Sequence, residues 1–197
     1  MMILGLTGSI GMGKSTTARF FAEEGVPVYS ADDVVHALYR RKSVISEIKT
    51  VFPETVKITA IDREKLAEEV FGRPEALHKL EAIVHPHVRK AELGFLQRVR
   101  RQGCRIVVLD IPLLYETGSQ TRVDRVVVVS APFEIQRKRV LNRPGMTEEK
   151  FTAILARQMP DEEKRRRADF VIDTSKNLDT VHEDVRFVIK TLLAAQV

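Results

Sequence analysis

The sequence predicts an α/β protein with a three-layer core, a parallel sheet and one helical insertion. Three observations predict it. Short apolar, β-branched runs recur along the chain, as buried parallel strands read. The segments between them are long and carry helical spacing, which parallel strands need for their crossovers. A glycine-rich octet, "GSIGMGKS" at 8–15, lies between the first apolar run and the first helical pattern.

Residues 2–7, "MILGLT", form the first expected strand. From Lys14 to Glu24, Ala18, Phe21 and Ala22 keep helical spacing, and Gly25 supplies a stop. "VPVYS" (26–30) reads as a second short strand. Helical patterns run from about Asp32 to Arg101, with breaks expected at Pro53, Gly72 and Pro86. "RIVVLDI" (105–111) and "VDRVVVVSA" (123–131) are the strongest strand signals, and "DFVID" (169–173) is a shorter last one. Helices are expected at about 133–142, 147–158 and 177–195.

The chain has 197 residues, 44% hydrophobic and 30% charged, with a formal net charge of +5. This is globular composition without repeats or low-complexity tracts. Apolar runs such as Val126–Val129 fall far short of the roughly 20 residues a membrane helix needs. The start "MMILGLTG" has no basic stretch before a long apolar one, so no signal peptide is expected. A single cysteine, Cys104, excludes a disulfide framework and a cysteine metal cluster within one chain, which suits a reducing, cytoplasmic setting. The basic balance suits an anionic partner or simply a solvated surface. Aromatics are few and Trp is absent, so the aromatic-and-basic platform of single-strand nucleic-acid binders is missing.

Gly8 to Ser15 fit G-x-x-x-x-G-K-[ST] without a gap, in the strand–loop–helix context that motif requires. Its glycines let the backbone turn tightly, so that N–H groups point at phosphate oxygens. Lys14 would reach the β and γ phosphates, and the Ser15 hydroxyl would ligate Mg²⁺. The following helix adds positive potential at its N-terminus. A nucleoside triphosphate is thus expected, in a small-molecule kinase, a GTPase or a nucleic-acid ATPase. The guanine-reading N-K-x-D is absent, and Asp110 opens "DIPL" rather than D-x-x-G, which argues against a GTPase. Motors need a larger core. A kinase fits best.

Ligands of such sheets collect at the carboxyl ends of the strands. "SADD" ends the second strand, and Asp32 is a candidate base for an acceptor hydroxyl, the alternative being that Asp32 or Asp33 caps the next helix. Asp110 ends the strongest strand run and would support Mg²⁺. Arg139 and Arg143, four apart on a helical pattern, suit a transferring phosphoryl group or a solvated surface. "KRRR" (164–167) reads as a solvated helix end. His85 and His87 of "HPHVR" lack a third metal ligand at suitable spacing, and Pro86 between them suggests a helix start.

Taken together, these stretches resemble the dephospho-coenzyme A kinase family over nearly the whole chain. The resemblance rests on "GLTGSIGMGKS" (5–15), "ADDVVH" (31–36), "HPHVR" (85–89), "LDIPLLYE" (109–116), "QRKRVLNRPG" (136–145) and "RQMPDEEKRRRADFVID" (157–173), in that order. It implies a phosphate-loop core over 1–54 and 102–197, a lid at about 137–160, and a helical acceptor-binding insertion over 55–101. It further implies transfer of the γ-phosphoryl of ATP, with Mg²⁺, to the ribose 3′-hydroxyl of dephospho-coenzyme A. Gly8, Gly11, Met12, Gly13, Lys14, Ser15 and Thr16 would wrap the ATP phosphates, with Ser15 and Asp110 toward the metal. Asp32 becomes the implied base. His85, Arg89, Asp110 and Leu114 fall to the acceptor, Arg139 and Arg143 to the lid. The implied partner is a small molecule, with no nucleic acid and no membrane, and the chain is expected as a monomer or weak homo-oligomer. Alternatives are a kinase of another nucleoside or nucleotide and a nucleic-acid-stimulated ATPase. Two positions depart from the family pattern: Ser30 stands where the first acid of D-A-D is usual, and Pro144 where the acid of R-D-G is usual.

Overall fold

The structure is a computed structural model, described here for residues 1–57 and 60–195. The strands are β1 (Met2–Thr7), β2 (Val28–Ser30), β3 (Ile106–Asp110), β4 (Arg125–Ser130) and β5 (Phe170–Asp173). The helices are α1 (Lys14–Glu23), α2 (Ala31–Leu38), α3 (Lys42–Val51), α4 (Arg63–Val70), α5 (Pro74–Arg101), α6 (Phe133–Leu141), α7 (Glu148–Leu155), α8 (Asp161–Arg167) and α9 (Leu178–Ala194). The sheet order is β2-β3-β1-β4-β5, with β1 parallel to β3 and β4, and β4 parallel to β5. The predicted α/β class and parallel sheet are therefore present, with the strand ends within two or three residues of expectation. Contacts divide the chain into two compact units, Met1–Tyr29 with Arg98–Val197, and Ser30–Gln97.

In the first unit the central strand β1 is buried from Leu4 to Thr7, with α1 and α9 on one face and the segment after β3 on the other. Leu4, Leu6, Val108, Val127 and Val129 pack against Phe20 and Phe21 of α1 and Val181, Val185, Val188 and Leu192 of α9. Phe20 takes an inward place on α1, whereas the expected Ala22 is exposed. On the opposite face Gly5 lies under Leu114 and Val123, whose side chains a Cβ there would meet at 3.1 Å. Pairing of Leu6 with Asp110 sets the carboxyl end of β3 level with the start of the phosphate loop.

The second unit packs α2, α3, α4 and the first part of α5 around Leu38, Val44, Ile48, Phe52, Ile61, Leu66, Leu80 and Val84. Each such side chain taken from water contributes about 1.5–3 kcal/mol, which gives the unit a core of its own. Two caps delimit its helices: Ser30 Oγ accepts from Asp33 N at 3.1 Å, and Asp62 Oδ1 accepts from Lys65 N at 3.3 Å. The break expected at Pro86 is absent, since α5 runs through it. An interior proline loses one backbone hydrogen bond and crowds the preceding turn, at a cost of about 3 kcal/mol. Leu80 and Val84 just before it are buried in the core, and that packing offsets the loss and keeps the helix continuous. "HPHVR" is thus helix interior rather than a helix start.

Candidate active site

The glycine-rich loop joins β1 to α1, and its conformation explains its composition. Gly11 and Gly13 have φ of 78° and 85°, in the left-handed region open to glycine at little cost. The loop also lies hard against its own unit. A Cβ on Gly8 would run into Val129, one on Gly11 would come within 2.5 Å of Val140 Cγ2, and one on Gly13 within 3.0 Å of Thr174 Oγ1. The glycines therefore serve close packing on the outer side as well as the turn.

Side chains hold the loop from outside. Ile10 N donates to Gln158 Oε1 at 3.1 Å, and Gln136 Nε2 donates to Ile10 O at 2.8 Å. Thr174 Oγ1, just past β5, donates to Met12 O at 2.9 Å. Arg139 reaches the same threonine from α6, with 3.0 Å to Thr174 Oγ1 and 2.7 Å to Thr174 O. None of Gln136, Gln158 and Thr174 stood out in the sequence, where each is an ordinary polar residue beside a more conspicuous motif.

Lys14, at the first position of α1, donates to Asp110 Oδ1 at 2.5 Å, with the two side chains 14% and 7% exposed. The structure thus brings together the cation of the loop and the acid ending β3. The Asp110 carboxylate and the hydroxyl of Ser15, the exposed residue next to Lys14, are hard oxygen donors of the kind Mg²⁺ takes. Among the described residues no group of three or more His, Cys, Asp or Glu could hold a metal ion by itself.

Past Asp110, Leu114 is fully buried in the first unit's packing. Glu116 Oε1 accepts from Met159 N at 2.8 Å and pairs with Lys164 Nζ at 2.8 Å. Lys164 is 0% exposed, which corrects the reading of "KRRR" as wholly solvated. Burial raises the Glu116 carboxyl, but Lys164 and the Met159 amide outweigh it and hold the group below the usual carboxylate range. The other three basics face solvent, Arg166 and Arg167 paired with Glu163 and Arg165 with Asp161.

The remaining predicted residues lie apart from this cluster in the chain. Asp32 and Asp33 are exposed in the first turn of α2, and the cap is Ser30 rather than either aspartate. His85 and Arg89 are exposed, four residues apart and so on one side of α5, while His87 Nε2 lies 3.0 Å from Glu47 Oε1 of α3. Arg139 and Arg143 do not share one helix as their spacing suggested. α6 ends at Leu141 with Asn142 as its C-cap, and Arg143 lies exposed in the following turn. Pro144 disfavours helical geometry at the residue before it, which ends the helix there.

A family model described as dephospho-CoA kinase matches residues 2–180. The chain belongs to the dephospho-CoA kinase family. It is 56% identical over 192 residues to a dephospho-CoA kinase of Brucella melitensis, covering 98% of this chain and 96% of the relative. A Mesorhizobium japonicum protein of the same name is also 56% identical, covering 98% and 97%. Among solved structures, a Thermus thermophilus protein superposes with a TM-score of 0.82 at 38% identity, covering 100% of this chain and 98% of that one. Dephospho-CoA kinase from Campylobacter jejuni superposes with a TM-score of 0.67 at 28% identity, covering 96% of each. An Acinetobacter baumannii shikimate kinase, at a TM-score of 0.53 and 16% identity with 100% and 96% covered, shares the fold alone.

Proposed function

We propose that this chain transfers the γ-phosphoryl group of ATP to the ribose 3′-hydroxyl of dephospho-coenzyme A, yielding coenzyme A and ADP. The observation that carries this reading is likeness at 56% identity over 98% of the chain to proteins named for that reaction, well beyond the glycine loop that many phosphate binders share.

The loop amides of Gly11 and of Gly13 to Thr16, with the N-terminus of α1, would bind the ATP phosphates, with Gly8 and Met12 seating the loop. Lys14 would turn from Asp110 alone to a position shared with the phosphates, bringing its charge to the transferring group. Bound Mg²⁺, held through Ser15 and Asp110, would neutralise charge on the β and γ oxygens. Asp32 would orient the 3′-hydroxyl and accept its proton as the phosphoryl moves. His85 and Arg89 supply a hydrogen-bonding and a cationic group to an acceptor that itself carries a pyrophosphate. Arg139 and Arg143 would stabilise charge on the moving phosphoryl, within a lid of about 137–160 that excludes competing water.

ADP release from Mg-ATP by the purified protein tests this reading across an acceptor panel. Turnover is expected with dephospho-coenzyme A and not with its 3′-deoxy analogue. Turnover with a nucleoside instead would discard the acceptor. Stimulation by single-stranded DNA, falling steeply with salt, would make the protein a nucleic-acid ATPase.

A further inference from the structure

In a trans peptide the C=O and the following N–H point in opposite directions across one plane. Whatever holds the carbonyl of residue i therefore aims the amide of residue i+1. The chain contains no cis peptide among the described residues, so this applies throughout the phosphate loop. Two carbonyls of that loop are held from the outer side. Gln136 Nε2 donates to Ile10 O at 2.8 Å, which turns the Gly11 N–H the opposite way. Thr174 Oγ1 donates to Met12 O at 2.9 Å, which does the same for the Gly13 N–H. A carbonyl only accepts, so the threonine hydroxyl is the donor, and its one proton faces Met12 O at 2.9 Å and, at the longer distance of 3.3 Å, Ser130 O of β4. Arg139 has only donors to offer, so the 3.0 Å contact from its guanidinium uses a lone pair of Thr174 Oγ1 and does not compete for that proton.

The intervening peptides fit the same scheme. Ile10 N–H points outward to Gln158 Oε1 at 3.1 Å, and Met12 N–H closes onto Ser9 O at 3.1 Å. The loop thus alternates, with the amides of Ile10 and Met12 committed to the protein and those of Gly11 and Gly13 turned away from the groups that hold their peptide planes. Gln136 and Thr174 are themselves 3% and 6% exposed, so their hydrogen bonds form away from competing water.

We infer that Gln136 and Thr174 are positioning residues that aim the Gly11 and Gly13 amides at the β and γ phosphates, with Arg139 docked on Thr174. The inference rests on the reading of the loop as the ATP phosphate site.

The test compares wild type with Thr174→Val, Thr174→Ser and Gln136→Met by calorimetry, using Mg-ATP, magnesium tripolyphosphate and AMP, and by steady-state kinetics for the acceptor. Thr174→Val and Gln136→Met should weaken Mg-ATP and tripolyphosphate by about tenfold or more, one hydrogen bond to a charged group being worth that much. AMP affinity and the acceptor KM should stay within about twofold, and Thr174→Ser, which keeps the hydroxyl, should bind like wild type within about threefold. Wild-type affinity in both Thr174→Val and Gln136→Met overturns the aiming role. So does an equal loss for AMP and tripolyphosphate, which marks general damage, or a failure of Thr174→Ser to rescue. A wild-type protein that binds neither Mg-ATP nor tripolyphosphate would remove the phosphate site itself, and this inference with it.

Discussion

Lys164→Met is the substitution whose outcome the structure determines most closely. The lysine is 0% exposed and lies 2.8 Å from Glu116 Oε1, the Glu116 side chain being 14% exposed. Its removal leaves a carboxylate in the interior with the Met159 amide as a remaining partner. Removing one member of a buried pair costs about 3–5 kcal/mol. Partial exposure and the surviving amide place this case at the lower end, about 3 kcal/mol at pH 7, or a melting temperature lower by about 6–12 °C. The pH dependence has a definite sign. In wild type the Glu116 carboxyl is held below its ordinary value, so its stabilisation is present above the unfolded carboxylate pKa and is lost as pH falls through the folded one. In the variant the unpaired carboxyl is raised by burial and gains stability on protonation. The gap between the two proteins therefore narrows as pH falls from 7 toward 4. Urea unfolding across that range measures it. Glu116→Gln combined with Lys164→Met keeps an acceptor for Met159 N and should recover about half of the loss or more. A single variant within about 0.5 kcal/mol of wild type, or a gap that does not narrow, would refute the reasoning.

Other substitutions probe the site directly. Lys14→Ala should lower kcat by several orders of magnitude with an unchanged circular dichroism spectrum, and near-normal turnover would remove Lys14 from the phosphate site. Asp32→Asn should retain acceptor KM while losing most of kcat, measured by ADP release. A full-rate variant would exclude Asp32 as the base. Gly11→Ala must accept φ of 78° and a Cβ within 2.5 Å of Val140 Cγ2. It should lose about 2 kcal/mol or more of stability in denaturant unfolding, together with ATP binding measured by calorimetry.

What was legible in the sequence is what periodicity and local chemistry encode. The β-branched runs of β3 and β4 read as strands because both faces of a parallel sheet are buried, and Gly11 and Gly13 read as a turn because their φ values call for glycine. Lys14 in the phosphate loop and Asp110 at a strand end could each be assigned to the site, although only the fold brings these residues, 96 positions apart, to 2.5 Å. Tertiary placement decided the rest. Pro86 sits inside α5 because the core fixed by Leu80 and Val84 outweighs a local preference to break. Lys164 is indistinguishable from Arg165 in a basic run until Glu116 is set beneath it. Gln136 and Thr174 matter through the carbonyls they face, which no spacing rule reports.

The most direct measurement of the central claim is the fate of the phosphoryl group itself. Wild-type protein would be incubated with γ-labelled ATP and dephospho-coenzyme A, and the labelled product treated with a 3′-nucleotidase. The account predicts that label moves to the coenzyme and that the nucleotidase releases it as inorganic phosphate, with none transferred to the 3′-deoxy acceptor. Label that resists the 3′-nucleotidase, that passes to water, or that reaches the 3′-deoxy acceptor would contradict it.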